Sequence, residues 1–248
     1  MKLKSEIVTP YKVFSTVYDK IMGHVDYERW AKFILTNLPD SKDNLATLDI
    51  ACGTAALFLF YPPYYQKTGI DNSNEMLKVA RRNNPEDIFI ETSMIDFRIN
   101  RKFDFITCNH DSINYLLDKK SILSHLQTVK SHLKPGGLYF FDISSEENLI
   151  QNFHNKIFRD TIDETFIIWE NQYDSVKKEI LSKLFFTINS ESGTAEFKEF
   201  HIQKFHTTED IKSLVELSGL KLINIGTDYR TWKIKKNSSL INFLVQNI

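Results

Sequence analysis

Strand-length apolar runs at residues 47–50, 67–70, 88–91, 103–108 and 138–143 alternate along the chain with helical-period stretches at 56–61, 75–82 and 119–133. That order predicts a parallel sheet with right-handed crossovers, an α/β, doubly wound and mostly parallel architecture. Lys134-Pro135-Gly136-Gly137 closes the third helix, because proline cannot extend it and glycine accepts left-handed backbone. Ahead of the sheet, residues 11–38 read as helical. Val13, Phe14, Val17, Tyr18 and Ile21 form one stripe and Trp30, Phe33 and Ile34 another, with a break near Gly23 and an exit at Pro39. Between 151 and 206 the period drops to two, over 165–173, 180–189 and 196–205 with a turn at Glu191-Ser192-Gly193, which predicts three antiparallel strands. Thr207-Thr208-Glu209-Asp210 then caps a helix over 211–217, Gly219 ends it, and 220–225 supplies a returning strand. The chain thus divides into a helical segment (1–38), a core (39–150), an antiparallel insertion (151–206) and a C-terminal part of the core (207–248).

Composition narrows the function classes. At 248 residues the chain can bury one large core without disulfides. Its formal net charge is −1 with both signs interspersed, so no basic patch exists to neutralise a phosphate backbone and nucleic acid is not expected as a partner. Cys52 and Cys108 are expected to end adjacent strands in a chain without a secretory signal, which implies a reduced, cytoplasmic setting. No 18-residue apolar run is present, so no membrane insertion is expected.

Chemistry concentrates where the first strand meets its turn, Ala46 to Ala55. A turn of tiny residues lets a ligand approach the backbone, and the helix after it aims unpaired N–H groups there. Such turns also occur without ligands. The second strand candidate, however, ends in Asp71, about 20 residues on, where a carboxylate would accept both ribose hydroxyls. Asp71-Asn72-Ser73 equally reads as the N-cap of the following helix, and both can hold. No G-x-G-x-x-G is present, which argues against a nicotinamide dinucleotide. Tyr61-Pro62-Pro63-Tyr64 lies after the first helix and breaks it.

Taken in order, "LDIACGTA", "TGIDNSNEMLKVAR", "FDFITCNHDSINYLL" and "LKPGGLYFFDI" resemble the motif series of the class I S-adenosylmethionine-dependent methyltransferases over residues 47–143. "DSINYL" and the N-terminal "YKVFSTVYDKIMGHVDYERW" are similar to a small-molecule branch that includes sugar-amine and glycine N-methyltransferases. The resemblance implies a seven-stranded Rossmann-like sheet, an N-terminal helical lid over the cofactor and a β insertion over the substrate pocket. Such insertions often mediate subunit contact, which makes a homodimer an open expectation. The implied activity moves a methyl group from S-adenosylmethionine to nitrogen or oxygen of a small polar metabolite. The alternative is a degenerate member that binds without turnover, motivated by Ala55 and Ser93, which depart from the family pattern.

Carried over residue by residue, Ala51 and Gly53 belong to the methionine half of the cofactor, and Asp71 and Asn72 to the ribose. Met76 packs from the next helix, Ser93 and Met94 meet the adenine, and Tyr18 and Trp30 cover the cofactor from the N-terminal segment. Asn109 follows the fourth strand. Asp96 reads as a turn cap and His110 as a surface histidine. Tyr115 is the expected acceptor-positioning group. On the inserted strand Glu199, His201 and Gln203 share one face, which either lines the substrate pocket, with His201 in a catalytic role, or meets solvent. Ala55 either takes a positive φ or sits in a first helical turn. No metal-ligand set is visible.

Overall fold

The computed structural model describes residues 5–38, 44–191 and 193–248, so the expected exit at Pro39 and the turn residue Ser192 lie outside the described residues. The N-terminal segment holds strand β1 (Glu6–Ile7), a 3-10 turn (Phe14–Thr16), α1 (Tyr18–Ile21), a second 3-10 turn (Met22–His24) and α2 (Tyr27–Leu35). The helical reading of this stretch holds, but as short pieces rather than two long helices. The core follows as β2 (Ala46–Ile50), a 3-10 helix (Ala56–Phe60), β3 (Gln66–Asp71), α3 (Asn74–Asn83), β4 (Ile88–Glu91), β5 (Phe103–Cys108), α4 (Lys119–His132) and β6 (Leu133–Ser144). Next come α5 (Glu146–Asn148), β7 (Ile157–Ile162), β8 (Thr165–Asp174), β9 (Glu179–Ser190), β10 (Gly193–Lys204), α6 (Thr208–Leu217), β11 (Lys221–Thr227) and β12 (Leu240–Gln246).

Helix starts follow the sequence chemistry. Asp26, Ser73, Asp118 and Thr207 each accept the N–H three residues on, which satisfies one of the donors a helix start leaves unpaired. The stretch after β2 is a 3-10 helix rather than an α-helix, because Pro62-Pro63 halts it after five residues. Helix α4 stops at His132, and residues 134–137 run on inside β6 across a bulge against β5 instead of forming a separate turn.

The main sheet has seven strands in the order β11-β12-β6-β5-β2-β3-β4. Strands β2 to β6 pair in parallel, while β12 and β11 return antiparallel. Along β6, Tyr139, Phe141 and Ile143 feed one apolar cluster with α4 and α6, and Phe140 feeds a second with α2 and α3, so both faces are covered. Cys52 and Cys108 are free and follow or end the paired strands β2 and β5.

A second sheet, ordered β1-β10-β9-β8-β7, carries the three expected antiparallel strands plus two more. Its inner face, with Ile167, Leu184 and Phe186, packs on Val13, Phe14 and Val17. The other N-terminal stripe, Trp30 with Ile34 and Phe33, packs toward the main sheet. The two stripes therefore exist because this segment bridges two sheets.

Candidate functional site

Both central strands stop at strained turns. After β2, Ala51 (φ 53°), Gly53 (φ 55°) and Ala55 (φ 56°) all take left-handed backbone, which costs each alanine about 1–2 kcal/mol. A Cβ on Gly53 would meet nothing within 4 Å, so its backbone, not a lack of space, calls for glycine. Ala55 thus lies ahead of the helical turn, not inside it. After β5, His110 (φ 60°) and Asp111 (φ 50°) are left-handed as well.

Each turn is held by a carboxylate from the neighbouring strand. Asp71 accepts the Gly53 N–H at 2.9 Å through Oδ2 and the Ser73 N–H at 2.8 Å through Oδ1. Asp142, in β6 and fully buried, accepts the N–H groups of His110 (3.0 Å) and Asp111 and the hydroxyl of Tyr229. Burial pushes the Asp142 carboxyl up to about 6 against the pull of those donors, and pushes Asp71 up in the same way. Such over-determination is what keeps strained backbone in place.

A cavity of about 550 Å³ lies over these turns. Tyr18, Trp30, Ala51, Gly53, Asp71, Asn72, Met76, Met94, Asn109 and Tyr115 all line it. Ser93 does not; its Oγ accepts the Ile95 N–H at 3.1 Å, while Glu91, which ends β4, faces the cavity in its place. The Met94 edge is fixed from α4, where fully buried His125 donates from Nδ1 to the Met94 carbonyl (2.7 Å) and accepts the Tyr139 hydroxyl at Nε2 (2.7 Å). Trp30 stacks on Tyr229 with centroids 4.0 Å apart and an interplanar angle of 4°.

The sequence reading missed Asp49, which also lines this cavity. It accepts the Thr107 hydroxyl at 2.6 Å, and burial pushes its carboxyl up to about 7 despite that bond. A carboxylate inside an apolar strand run was the available signal, since buried charge is rare without a reason. Among the described residues Asp49, Asp71, Glu75 and Glu91 line the cavity together with one lysine, Lys12. That lining suits a ligand carrying positive charge and opposes a pyrophosphate.

A second cavity, of about 770 Å³, opens between the N-terminal segment, the loop after β5 and the inner face of the second sheet. Tyr11, Tyr18, His110 and Tyr115 line both cavities and form the wall between them. The Tyr18 hydroxyl lies 3.3 Å from His110 Nδ1, and burial pushes the His110 imidazole down to about 4, so it is neutral. It is half-buried in the wall rather than a surface histidine.

Tyr115 and His201 are brought together, with the Tyr115 hydroxyl 3.0 Å from His201 Nδ1. On its other side Tyr115 meets the Tyr11 hydroxyl at 2.6 Å. His201 Nε2 lies 3.1 Å from Glu199 Oε2, and with that carboxylate accepting, Nδ1 is left to accept from Tyr115. Burial pushes both phenols well above their ordinary range, so they serve as neutral hydrogen-bonding groups. Glu199, fully buried, also accepts the backbone N–H groups of Tyr11 (2.7 Å), Val13 (2.6 Å) and Phe14 (3.0 Å). The polar face of β10 therefore points inward, and its carboxylate pins the N-terminal segment. Among the described residues no cluster of metal-ligating side chains is present, and no helix is long and apolar enough to cross a membrane.

Comparison with known proteins agrees with this geometry. The methyltransferase domain family matches residues 47–137. The crystal structure of an S-adenosylmethionine-dependent methyltransferase from Clostridium acetobutylicum ATCC 824 is 32% identical, with a TM-score of 0.80 over 95% of this chain and 98% of that one. The putative methyltransferase YqeM of Bacillus subtilis (strain 168) is 27% identical over 95% of this chain and 96% of its own length. Over 46% of this chain, and 45% of its own, the dTDP-3-amino-3,6-dideoxy-alpha-D-glucopyranose N,N-dimethyltransferase of Streptomyces fradiae is 30% identical.

Proposed function

Because the chain belongs to the S-adenosylmethionine-dependent methyltransferases, we propose that the first cavity holds the donor and the second the acceptor, a small metabolite methylated at a polar nitrogen or oxygen. The observation that carries this reading is the shared wall of Tyr11, Tyr18, His110 and Tyr115, which would place acceptor and methyl group face to face. Residues 1–38 then act as the lid and 151–206 as the insertion that roofs the acceptor, with 39–150 and 207–248 as the core.

The cavity chemistry fits the donor. Asp71 spends one backbone N–H on each oxygen, which leaves further lone pairs for two ribose hydroxyls, with Asn72 beside it. Met94 and Glu91 bound the adenine end, and Ala51 and Gly53 give the methionine half access to the backbone. Asp49 supplies a counter-charge for its cationic groups. When bound, the donor supplies an electrophilic methyl group on a sulfonium. The protein's part is alignment and dehydration, and holding reactants in line is worth roughly 7–11 kcal/mol of barrier. Tyr115, oriented by His201 and Tyr11, would position the acceptor heteroatom. Neither Ala55 nor Ser93 lines the donor cavity, so the two departures that motivated a degenerate, non-catalytic reading lie away from the ligand.

The test is thermal. S-adenosylhomocysteine should stabilise the protein by about 2.7 kcal/mol at a hundredfold excess over its Kd. Asp71→Ala should shrink that shift strongly, because each hydroxyl loses a charged acceptor worth roughly 1.5–3 kcal/mol. An unchanged melting temperature at millimolar ligand would sink the donor assignment.

A further inference from the structure

Resting on that two-cavity reading, we infer that the acceptor is an amine carried on an apolar or aromatic body, not a nucleotide-linked sugar, and that Asp111 receives the amine and removes its proton. The body of the second cavity is apolar: Phe14, Met22, Phe153, Ile167, Trp169 and Leu184 line it. Among the described residues one arginine lines it, Arg159, which stands beside Asp160 on the exposed strand β7, while Asp111 comes from the loop after β5. A diphosphate is recognised by several cations or by a helix N-terminus aimed at it. Of the three described histidines that line the cavity, His110 is held neutral by burial, His201 has both ring nitrogens engaged by Glu199 and Tyr115, and exposed His24 has Nδ1 at the Ile21 carbonyl, so they do not form a cluster of cations around a diphosphate.

Asp111 is where a cation is missing. It follows His110 in the left-handed turn, and its backbone is fixed at both ends, the N–H by Asp142 and the carbonyl by the Gln203 amide at 3.4 Å. Asp111 lines the second cavity together with its neighbour His110, and with Tyr11, Tyr18 and Tyr115 of the wall between the cavities. Among the described residues no lysine, arginine or histidine forms an ion pair with it. Burial first, then the Asp142 charge, pushes its carboxyl up to about 8 against the pull of Gln203. A half-buried carboxyl raised this far and lacking a counter-charge keeps its proton at neutral pH, and an incoming ammonium supplies the charge that lets it ionise.

The proton accounting closes. The ammonium gives a proton to a carboxylate oxygen of Asp111, which leaves the nitrogen lone pair free. That lone pair forms the N–C bond as the donor's C–S bond breaks and the sulfonium becomes a neutral thioether. Product leaves as a methylated ammonium, and Asp111 returns its proton to solvent. A carboxyl raised toward the ammonium range takes this proton far more readily than an ordinary aspartate. A hydroxyl acceptor would leave Asp111 without its counter-charge.

The experiment compares benzylamine, phenethylamine and phenylpropylamine with phenethyl alcohol and thymidine diphosphate. Each is added to protein saturated with S-adenosylhomocysteine for melting, and to protein with tritiated S-adenosylmethionine for methyl transfer. At least one amine should raise the melting temperature and accept tritium, while the alcohol and the diphosphate do neither. Asp111→Asn keeps a side chain that tolerates left-handed backbone. It should retain the S-adenosylhomocysteine shift and bind the amine roughly thirtyfold or more weakly, the low end for breaking a buried charge pair. Tighter binding of thymidine diphosphate, wild-type amine affinity in Asp111→Asn, or no response to any amine while S-adenosylhomocysteine binds would overturn the proposal. Should Asp111→Asn not fold, the wild-type comparison of amine against alcohol and diphosphate still decides. Loss of the S-adenosylhomocysteine response itself would strike the two-cavity reading instead.

Discussion

Replacing Glu199 by glutamine removes one carboxylate oxygen from a site where four N–H groups converge, those of Tyr11, Val13, Phe14 and the His201 ring. Glutamine keeps one acceptor oxygen, and each carboxylate oxygen serves two of these donors. Two N–H groups are then left facing an NH2 in a fully buried site, at about 1–3 kcal/mol each, or about 2–6 kcal/mol in total. The segment is also held by burial of Val13, Phe14 and Val17 against the second sheet, worth roughly 1.5–3 kcal/mol per side chain. That sum, about 4.5–9 kcal/mol, is larger than the loss when low end is set against low end and high against high. The segment therefore stays docked on average but opens more often, while the main sheet is untouched. Hydrogen exchange read by mass spectrometry should show amides of residues 11–17 losing about thirtyfold or more in protection, with β2 to β6 unchanged. Donor affinity should weaken in step, since Tyr11 and Tyr18 line that cavity. Wild-type protection over residues 11–17, or a loss spread evenly over the whole chain, would refute the view that Glu199 latches this segment.

Truncating His201→Ala should leave S-adenosylhomocysteine affinity near wild type and lower turnover, because His201 lines only the second cavity; equal loss of both in titration and rate assays would move it into the donor site. In Ala55→Gly, relief of about 1–2 kcal/mol of strain is set against a lost buried methyl, about 0.8 kcal/mol, and a looser unfolded chain, about 0.4–1 kcal/mol. Stability should thus move by under about 1 kcal/mol and donor affinity by under about twofold; a tenfold tightening by calorimetry would show that the methyl group crowds the ligand. Asp49 holds its proton up to about 7 in the folded protein while the unfolded chain has released it by about pH 4, so its contribution to apo stability is lost as pH rises through that window. A cationic ligand favours the ionised form, so S-adenosylhomocysteine affinity should climb toward pH 7 and level above it, and a flat profile in the wild type, or an undiminished rise in Asp49→Asn, would contradict this.

The core strands were legible because each is a short apolar run ending at a turn, and the helix starts because a side-chain acceptor stands three residues before the N–H it takes. Three strands were not. β12 is buried on both faces, with Ile241, Phe243 and Val245 in one apolar cluster and Leu240 and Leu244 in the other, so its alternation is broken and buried Asn242 reads as a polar interruption. β7 is an exposed edge whose Ile-Phe-Arg-Asp-Thr-Ile pattern points to neither face, and β1 is two residues long. The first cavity was largely legible through its turn and through Asp71. The resemblance set the adenine contact at Ser93 and Met94; Met94 lines the cavity, but Ser93 turns its hydroxyl to the Ile95 N–H and Glu91, the last residue of β4, faces the cavity instead. The roles of Glu199 and Asp142 depend on contacts across 188 and 32 positions of sequence, and no local pattern encodes such distances. Tyr11 and Tyr229 were hidden for the same reason, although an acid inside the apolar run of β6 was a visible anomaly.

The most direct test of the donor and acceptor assignment is the crystal structure of the S-adenosylhomocysteine complex. The ribose should sit on Asp71, the adenine between Glu91 and Met94, and the sulfur at the wall of Tyr11, Tyr18, His110 and Tyr115, open to the second cavity. A ligand whose sulfur faces away from that wall, or that occupies the second cavity, would contradict the account.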